Sequence, residues 1–147
     1  MKTKIWAFFA AMLLMVLIST ASAVVMWNED NALGTYTRAQ AYVSGDWYYP
    51  PGELRDAYAH VKGTVRYALP DEGLVIRFRF LYDGYDSGDM YFFPDVDEPG
   101  EWAKIYIRPG TVTYIISVGR VGYGHWQGEV FYYVWDTREV SAFIPFD

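Results

Sequence analysis

Residues 57–69 read AYAHVKGTVRYAL, and residues 74–82 read LVIRFRFLY. In the first stretch small or apolar side chains alternate with polar ones. In the second, Arg77 and Arg79 stand opposite an apolar face. Alternation with a period of two is typical of strands that bury one face and expose the other. The intervening residues 70–73, PDEG, are turn formers, so two consecutive strands are predicted.

The same pattern recurs along most of the remaining chain, with turn residues between the segments, and no helical stripe appears. Further strands are predicted at 35–43, 89–93, 102–107, 111–118, 129–135 and 140–146. Many short strands at regular spacing indicate an all-β sandwich or barrel. We therefore predict one antiparallel β-sandwich over residues 35–147, of the jelly-roll or immunoglobulin-like kind with about eight strands. The alternative is an eight-stranded β-barrel. Residues 119–124, GRVGYG, are predicted as a glycine-rich link.

The start of the chain has the three parts of a secretory signal. Lys2 and Lys4 precede an uninterrupted apolar run at 5–18, and small residues follow. Residues 1–23 are therefore predicted to be a cleaved signal peptide, with a flexible mature N-terminus at 24–34. The alternative is retention as a membrane anchor, because the apolar run can be extended to about the length of a span.

Charge and cysteine content exclude several functional classes. The chain has a formal net charge of −6 and no cysteine. An acidic protein is repelled by phosphate backbones, so we expect no nucleic-acid partner. Cysteine nucleophiles and cysteine-ligated metals are excluded. We expect a secreted or cell-surface protein that touches a membrane only if its signal is retained. Without disulfides, its stability must come from its core, an ion or self-association.

Aromatic residues make up 20% of the chain. Trp47, Tyr48 and Tyr49 stand together in a proline- and glycine-containing loop, and Trp126 follows a glycine-rich stretch. Three adjacent rings cannot all face a core, and exposed aromatic clusters usually contact a ligand. We predict that these four residues, in two separate candidate segments, bind a ligand that is a glycan or a protein. The alternative is that the rings fold back over an open end of the sandwich.

The segment 82–89 presents Asp83, Asp86 and Asp89 with two glycines. Calcium prefers several carboxylate and carbonyl oxygens, so a calcium site is predicted there. The alternative is a solvated turn, since Asp and Gly are common turn residues. A second acidic loop, 94–101, is expected at the opposite end of the sheet. No other cofactor is expected.

No nucleophile elbow, phosphate loop, dinucleotide fingerprint or zinc signature occurs. His125 is expected to be a surface residue of a glycine-rich turn, and Glu129 is the best candidate for a buried acid. The function predicted is therefore a non-catalytic binding or interaction domain for a glycan or cell-surface ligand. The alternative is a self-assembling structural subunit of an extracellular filament, coat or envelope.

Overall fold

Two antiparallel sheets packed face to face form the protein in the computed structural model, which describes residues 22–49, 52–94, 101–106 and 112–145. The first sheet, sheet A, consists of β1 (Ser22–Leu33), β2 (Thr37–Tyr49), β3 (Glu53–Val65) and β7 (Glu101–Tyr106), in that spatial order.

Sheet B has the order β10-β8-β4-β5, with β6 also paired to β4 and β9 also paired to β8. Its strands in chain order are Gly73–Tyr82 (β4), Tyr85–Asp86 (β5), Met90–Phe92 (β6), Tyr114–Gln127 (β8), Val130–Trp135 (β9) and Val140–Pro145 (β10). The described residues contain no helix.

The core lies between the sheets and is built from alternate residues of their strands. Its members are small and branched side chains, chiefly Ala39, Ala41, Val43, Leu54, Ala59, Val61, Leu74, Ile76, Ile115, Val121, Val140 and Ile144. Burial of every second residue leaves the other face of each strand outside, as the sequence alternation predicts. A polar contact crosses the core: the Ser117 hydroxyl of sheet B donates a hydrogen bond to the His60 carbonyl oxygen of sheet A at 2.9 Å.

The predicted antiparallel sandwich is confirmed. The barrel alternative is wrong, because the strands form two separate sheets and not one closed one. The described residues contain a strand at each of the eight predicted positions, although the bounds shift by several residues. The predicted signal peptide lies outside the described residues up to position 21, and so does most of the second acidic loop, at 95–100.

Strand β1 occupies the segment for which the sequence predicts a flexible N-terminus. It pairs with β2 along its whole length, from Ser22 opposite Tyr49 to Leu33 opposite Arg38. Its polar residues have long-range partners: the Asp30 carboxylate accepts hydrogen bonds from the Arg138 guanidinium at 2.9 and 3.0 Å. These polar side chains therefore belong to an ordered strand.

Strand β8 runs straight through the predicted glycine-rich link. Its glycines lie at close approaches, where a side chain would not fit. A Cβ at Gly119 would overlap the Val61 side chain, and one at Gly124 would overlap the Tyr132 carbonyl oxygen. Here glycine permits close packing within a strand and does not mark its end. The turn comes later, at Gly128 and Glu129, where Gly128 has a φ of 63°.

Candidate functional site

The four aromatic residues predicted to bind a ligand lie at opposite ends of the sandwich. Trp47, Tyr48 and Tyr49 end strand β2, whereas the residue just before β2, Tyr36, packs edge-on against Tyr123 of β8 at 5.4 Å. Trp126 is close to that second end. Strand β2 has 13 residues, and at about 3.3 Å per residue its ends are about 40 Å apart. The four residues therefore cannot form one site.

The three residues at the end of β2 also face different environments. Trp47 packs against the hydrophobic core. Tyr48 is half-buried and has the Arg55 guanidinium over its ring, 5.1 Å from the centroid. Tyr49 alone is largely in solvent, with 66% of its surface exposed. Alternation puts Tyr48 on the opposite face from Trp47 and Tyr49, and Trp47 is packed on the core, so the three rings do not present one surface.

Trp126 instead belongs to a cluster on the outer face of sheet B, which we call the aromatic patch. It consists of Tyr91, Phe93, Trp126, Phe131, Tyr133 and Trp135. Four of the rings keep 37–49% of their surface exposed. An exposed aromatic cluster of this kind is a candidate contact surface.

Strand register creates the patch. Phe131, Tyr133 and Trp135 alternate on one face of β9, with Tyr133 opposite Gly124 and Trp135 opposite Gly122 of β8. Because Gly122 carries no side chain, the Trp135 ring can lie close to it, and the Phe131 ring lies against Gly73 of β4. A Cβ at Gly124 would instead meet the Tyr132 backbone, so glycine lets β9 approach β8 closely there.

The patch contains one stacked pair of rings with tilted rings around it. The Phe131 and Tyr133 rings lie 6.1 Å apart at 25°. Trp126 meets Phe131 at 5.2 Å and 67°, and Phe93 meets Phe131 at 4.8 Å and 54°. The arrangement offers aromatic faces and edges at several angles, next to one stacked pair. A flat ring-bearing ligand fits such an aromatic face through its own apolar face.

Two arginine side chains, together with the phenol groups of Tyr91 and Tyr133, supply polar atoms on the Trp135 side of the patch. The guanidinium groups of Arg77 and Arg120 each lie 5.2 Å from the Trp135 ring centroid, a cation–π geometry. Arg77 also donates to Glu139 at 2.6 Å. Burial and the neighbouring Tyr91 raise the pKa of the Tyr133 phenol, so it stays a neutral hydrogen-bonding group at neutral pH.

A small cleft opens on the inner side of the same end of β8 and β9. Its volume is about 170 Å³, and it is lined by Asp71, Tyr123, His125, Tyr132, Tyr133 and Val134. The His125 Nδ1 lies 2.8 Å from Asp71 Oδ2, and the His125 ring stacks on Tyr132 at 27°. This hydrogen bond lowers the pKa of Asp71.

His125 is therefore oriented by Asp71 and is a cleft residue of strand β8, whereas the sequence analysis expects it on a surface turn. With Nδ1 bound to the carboxylate, Nε2 is the nitrogen available to a ligand hydroxyl. Glu129 is exposed in the turn after β8, so it does not have the buried position of a catalytic acid.

The aspartates of the predicted calcium loop bind protein donors. The Asp83 carboxylate accepts from the Thr113 amide at 2.7 Å and the Tyr114 amide at 3.3 Å. Burial opposes the ionised form of Asp83, but these hydrogen bonds outweigh it and lower its pKa. Asp86 forms a two-point contact with Arg79 at 2.9 and 2.5 Å, which lowers its pKa to about 2.

Asp89 is exposed on the same loop. Within the described part of the chain, no group of three His, Cys, Asp or Glu side chains is placed to hold a metal ion. Calcium binding by Asp83, Asp86 and Asp89 stays a prediction, and it requires Asp86 to leave Arg79.

Sequence reasoning missed most of the aromatic patch and one key carboxylate. The alternation of rings in 131–135 was the available signal, because it places three aromatic side chains on one face of a strand. Asp136 had no such signal. Its carboxylate accepts hydrogen bonds from the amides of Thr35, Tyr36 and Thr37, about a hundred residues earlier in the chain.

Comparison with protein-family models, with curated protein sequences and with solved structures finds no match for this chain. Among the described residues, none belongs to a helix that is long and apolar enough to span a membrane. The case for a function therefore depends on the geometry of the patch and the cleft.

Proposed function

We propose that the protein is an exported, non-catalytic binding domain that recognises a neutral glycan on its aromatic patch. The observation that carries the proposal is the exposed cluster around Trp126, with the near-parallel, stacked rings of Phe131 and Tyr133 beside it. The C–H face of a sugar ring stacks on exposed rings of this kind, and its hydroxyls reach polar groups at the border. Export is the expectation from the leader sequence.

Charge favours a neutral ligand over an acidic one. The chain carries a net charge of −6, so its overall field repels polyanions. Of the two arginines nearest the patch, Arg77 already has a carboxylate partner in Glu139. Arg120 donates to the Thr137 carbonyl oxygen at 2.9 Å. Both cations have protein partners, so we do not expect the patch to select sulfated or uronic-acid sugars.

The cleft offers a second, polar surface near the patch. His125, held by Asp71, can exchange a hydrogen bond with a ligand hydroxyl through Nε2, and Tyr132 provides a second ring. Tyr133 borders both the patch and the cleft. Because the cleft opens on the inner side of β9 and the patch lies on its outer face, a sugar stacked on Trp126 does not reach His125 directly.

The test is binding of the purified protein to cellulose, chitin, a soluble β-glucan and a mannan, with sulfated dextran as the anionic comparison. We expect binding to at least one neutral polysaccharide, and Trp126→Ala should weaken it by about tenfold or more because exposed aromatic anchors dominate such contacts. Tyr49→Ala is the matched control, since Tyr49 is an exposed ring at the other end of the sandwich. Equal losses in both variants would contradict the assignment to the patch, and no binding to any of these glycans would contradict the ligand class.

A further inference from the structure

Strands β9 and β10 share one side of the long strand β8. Strand β10 pairs with its first half, Tyr114–Gly119, and β9 pairs with its second half, Gly122–Gln127. The other side of β8 is taken by β4. One edge of sheet B therefore has two parts in line, formed by β10 and by β9.

The β10 part of this edge is capped by side chains from β1. The Ser141 amide donates to the Asp30 carboxylate at 3.1 Å, and the Phe143 amide donates to the Asn28 side-chain oxygen at 3.4 Å. Backbone donors that are occupied in this way cannot pair with another strand. Proteins commonly protect sheet edges by such means.

The β9 part has no such protection in the described structure: no described strand pairs with its outer edge. Its sequence, VFYYVW, contains no charge and no proline. Three of its side chains are more than half exposed, with Val130 at 53%, Tyr132 at 52% and Val134 at 56%. An uncharged, aromatic and β-branched edge strand is a template for pairing with another strand.

We propose that β9 pairs antiparallel with β9 of a second copy of this chain, joining the two B sheets into one. A two-fold axis perpendicular to the sheet brings like faces together. With the axis at Tyr133, the two Tyr133 side chains stand opposite each other, and Phe131 stands opposite Trp135 of the second copy. Aromatic pairs across strands stabilise a sheet. Glu129 falls opposite Thr137, so no like charges meet.

A second copy fits this edge better than a peptide of another kind. The strand is complementary to itself in that register, because Val134 falls opposite Tyr132 and each aromatic residue of the outer face meets another. No charge on β9 selects an acidic or basic partner. The pairing also makes the two aromatic patches continuous, because both lie on the same face of the joined sheet. The pairing of two copies through β9 does not depend on a glycan ligand.

The first test is the mass in solution of protein expressed from the full chain, with its N-terminus defined by mass spectrometry. Sedimentation over a wide range of protein concentration is expected to show twice the mass of the single chain. Tyr133→Lys places two ammonium groups at the axis and should weaken association by on the order of tenfold or more. Tyr49→Lys, at an exposed position of the other sheet, is the control and should keep the doubled mass.

A charge exchange tests the register. Tyr133→Lys and Tyr133→Glu should each be largely monomeric, and an equal mixture of the two should recover the doubled mass. A wild-type protein that stays monomeric overturns the proposal, and so does a Tyr133→Lys variant that keeps the doubled mass. Circular dichroism establishes that the variants fold. If they do not, hydrogen exchange of the wild type decides: the amides of 130–135 should become more protected as concentration rises, and unchanged rates overturn the proposal.

Discussion

Replacing Asp136 with alanine is expected to disconnect the two sheets at one end of the sandwich. The Asp136 carboxylate follows β9 in sheet B and accepts four hydrogen bonds from the turn between β1 and β2. The donors are the Thr35 amide at 3.1 Å, the Tyr36 amide at 3.0 Å, and the Thr37 amide and hydroxyl at 2.7 Å each. One side chain therefore fixes the start of β2 against the far sheet.

The size of the loss in stability depends on which hydrogen-bond donors are left without an acceptor. Thr37 is fully buried, so its amide and hydroxyl would lose their acceptor without gaining water, at about 1–3 kcal/mol for each donor. The more accessible amides can be rehydrated and add little. We expect the free energy of unfolding to fall by about 4 kcal/mol, a large part of the roughly 5–15 kcal/mol of a typical domain. The corresponding fall in Tm is about 15 °C.

Urea denaturation followed by tryptophan fluorescence measures this loss. Asp136→Asn keeps an oxygen acceptor but not the charge, so about half of the loss is expected. Glu139→Ala is the matched control: it removes a nearby, exposed ion pair with Arg77 and should cost less than about 1 kcal/mol. The reasoning is refuted if Asp136→Ala is no more destabilising than Glu139→Ala.

Three further predictions concern packing and pH. Gly119→Ala should lower the free energy of unfolding by about 1–3 kcal/mol, because its Cβ would overlap Val61; adding Val61→Ala should restore part of that loss in urea denaturation. The Asp86 carboxyl should titrate by NMR near pH 2, and Arg79→Gln should raise its pKa towards 3.8, since Arg79 is the main cause of the shift. Burial, and then Lys62, lower the pKa of His60. The unfolded chain is therefore protonated there first as pH falls below about 6.5, and His60→Gln should reduce the loss of stability between neutral and mildly acid pH.

The strands could be predicted because their pattern is local. Alternation fixes which side chains face the core, and turn residues mark the ends, so the predicted segments 74–82 and 140–146 match β4 and β10 closely. Strand β1 could not be found in this way. In its residues 28–31, NEDN, the side chains of Asn28 and Asp30 bind partners more than a hundred residues later, and those of Glu29 and Asn31 bind side chains of β2.

The candidate site was predicted only in part, for a similar reason. Trp126 was identified because it stood out in a glycine-rich segment. The same glycines hid the strand that carries it, since Gly122 and Gly124 were interpreted by their usual role in turns. Their actual role depends on the neighbouring strand β9, whose Trp135 ring lies close to Gly122 and whose Tyr132 backbone lies close to Gly124. A glycine that makes room for a ring and a glycine that makes a turn look the same in a sequence.

The absence of cysteine raises the question of what joins distant segments, and aspartate carboxylates supply much of the answer. Asp30, Asp83 and Asp136 each accept hydrogen bonds from backbone amides at least 30 residues away. Arg138 lowers the pKa of Asp30; for Asp83 burial works against ionisation, but Thr113 and Tyr114 overcome it. A carboxyl whose pKa is lower in the folded state stabilises that state above its ordinary pKa of 3.8. The contribution is lost as pH falls through the folded value. The connections made by Asp30 and Asp83 therefore give way in acid, where a disulfide in the same place would persist.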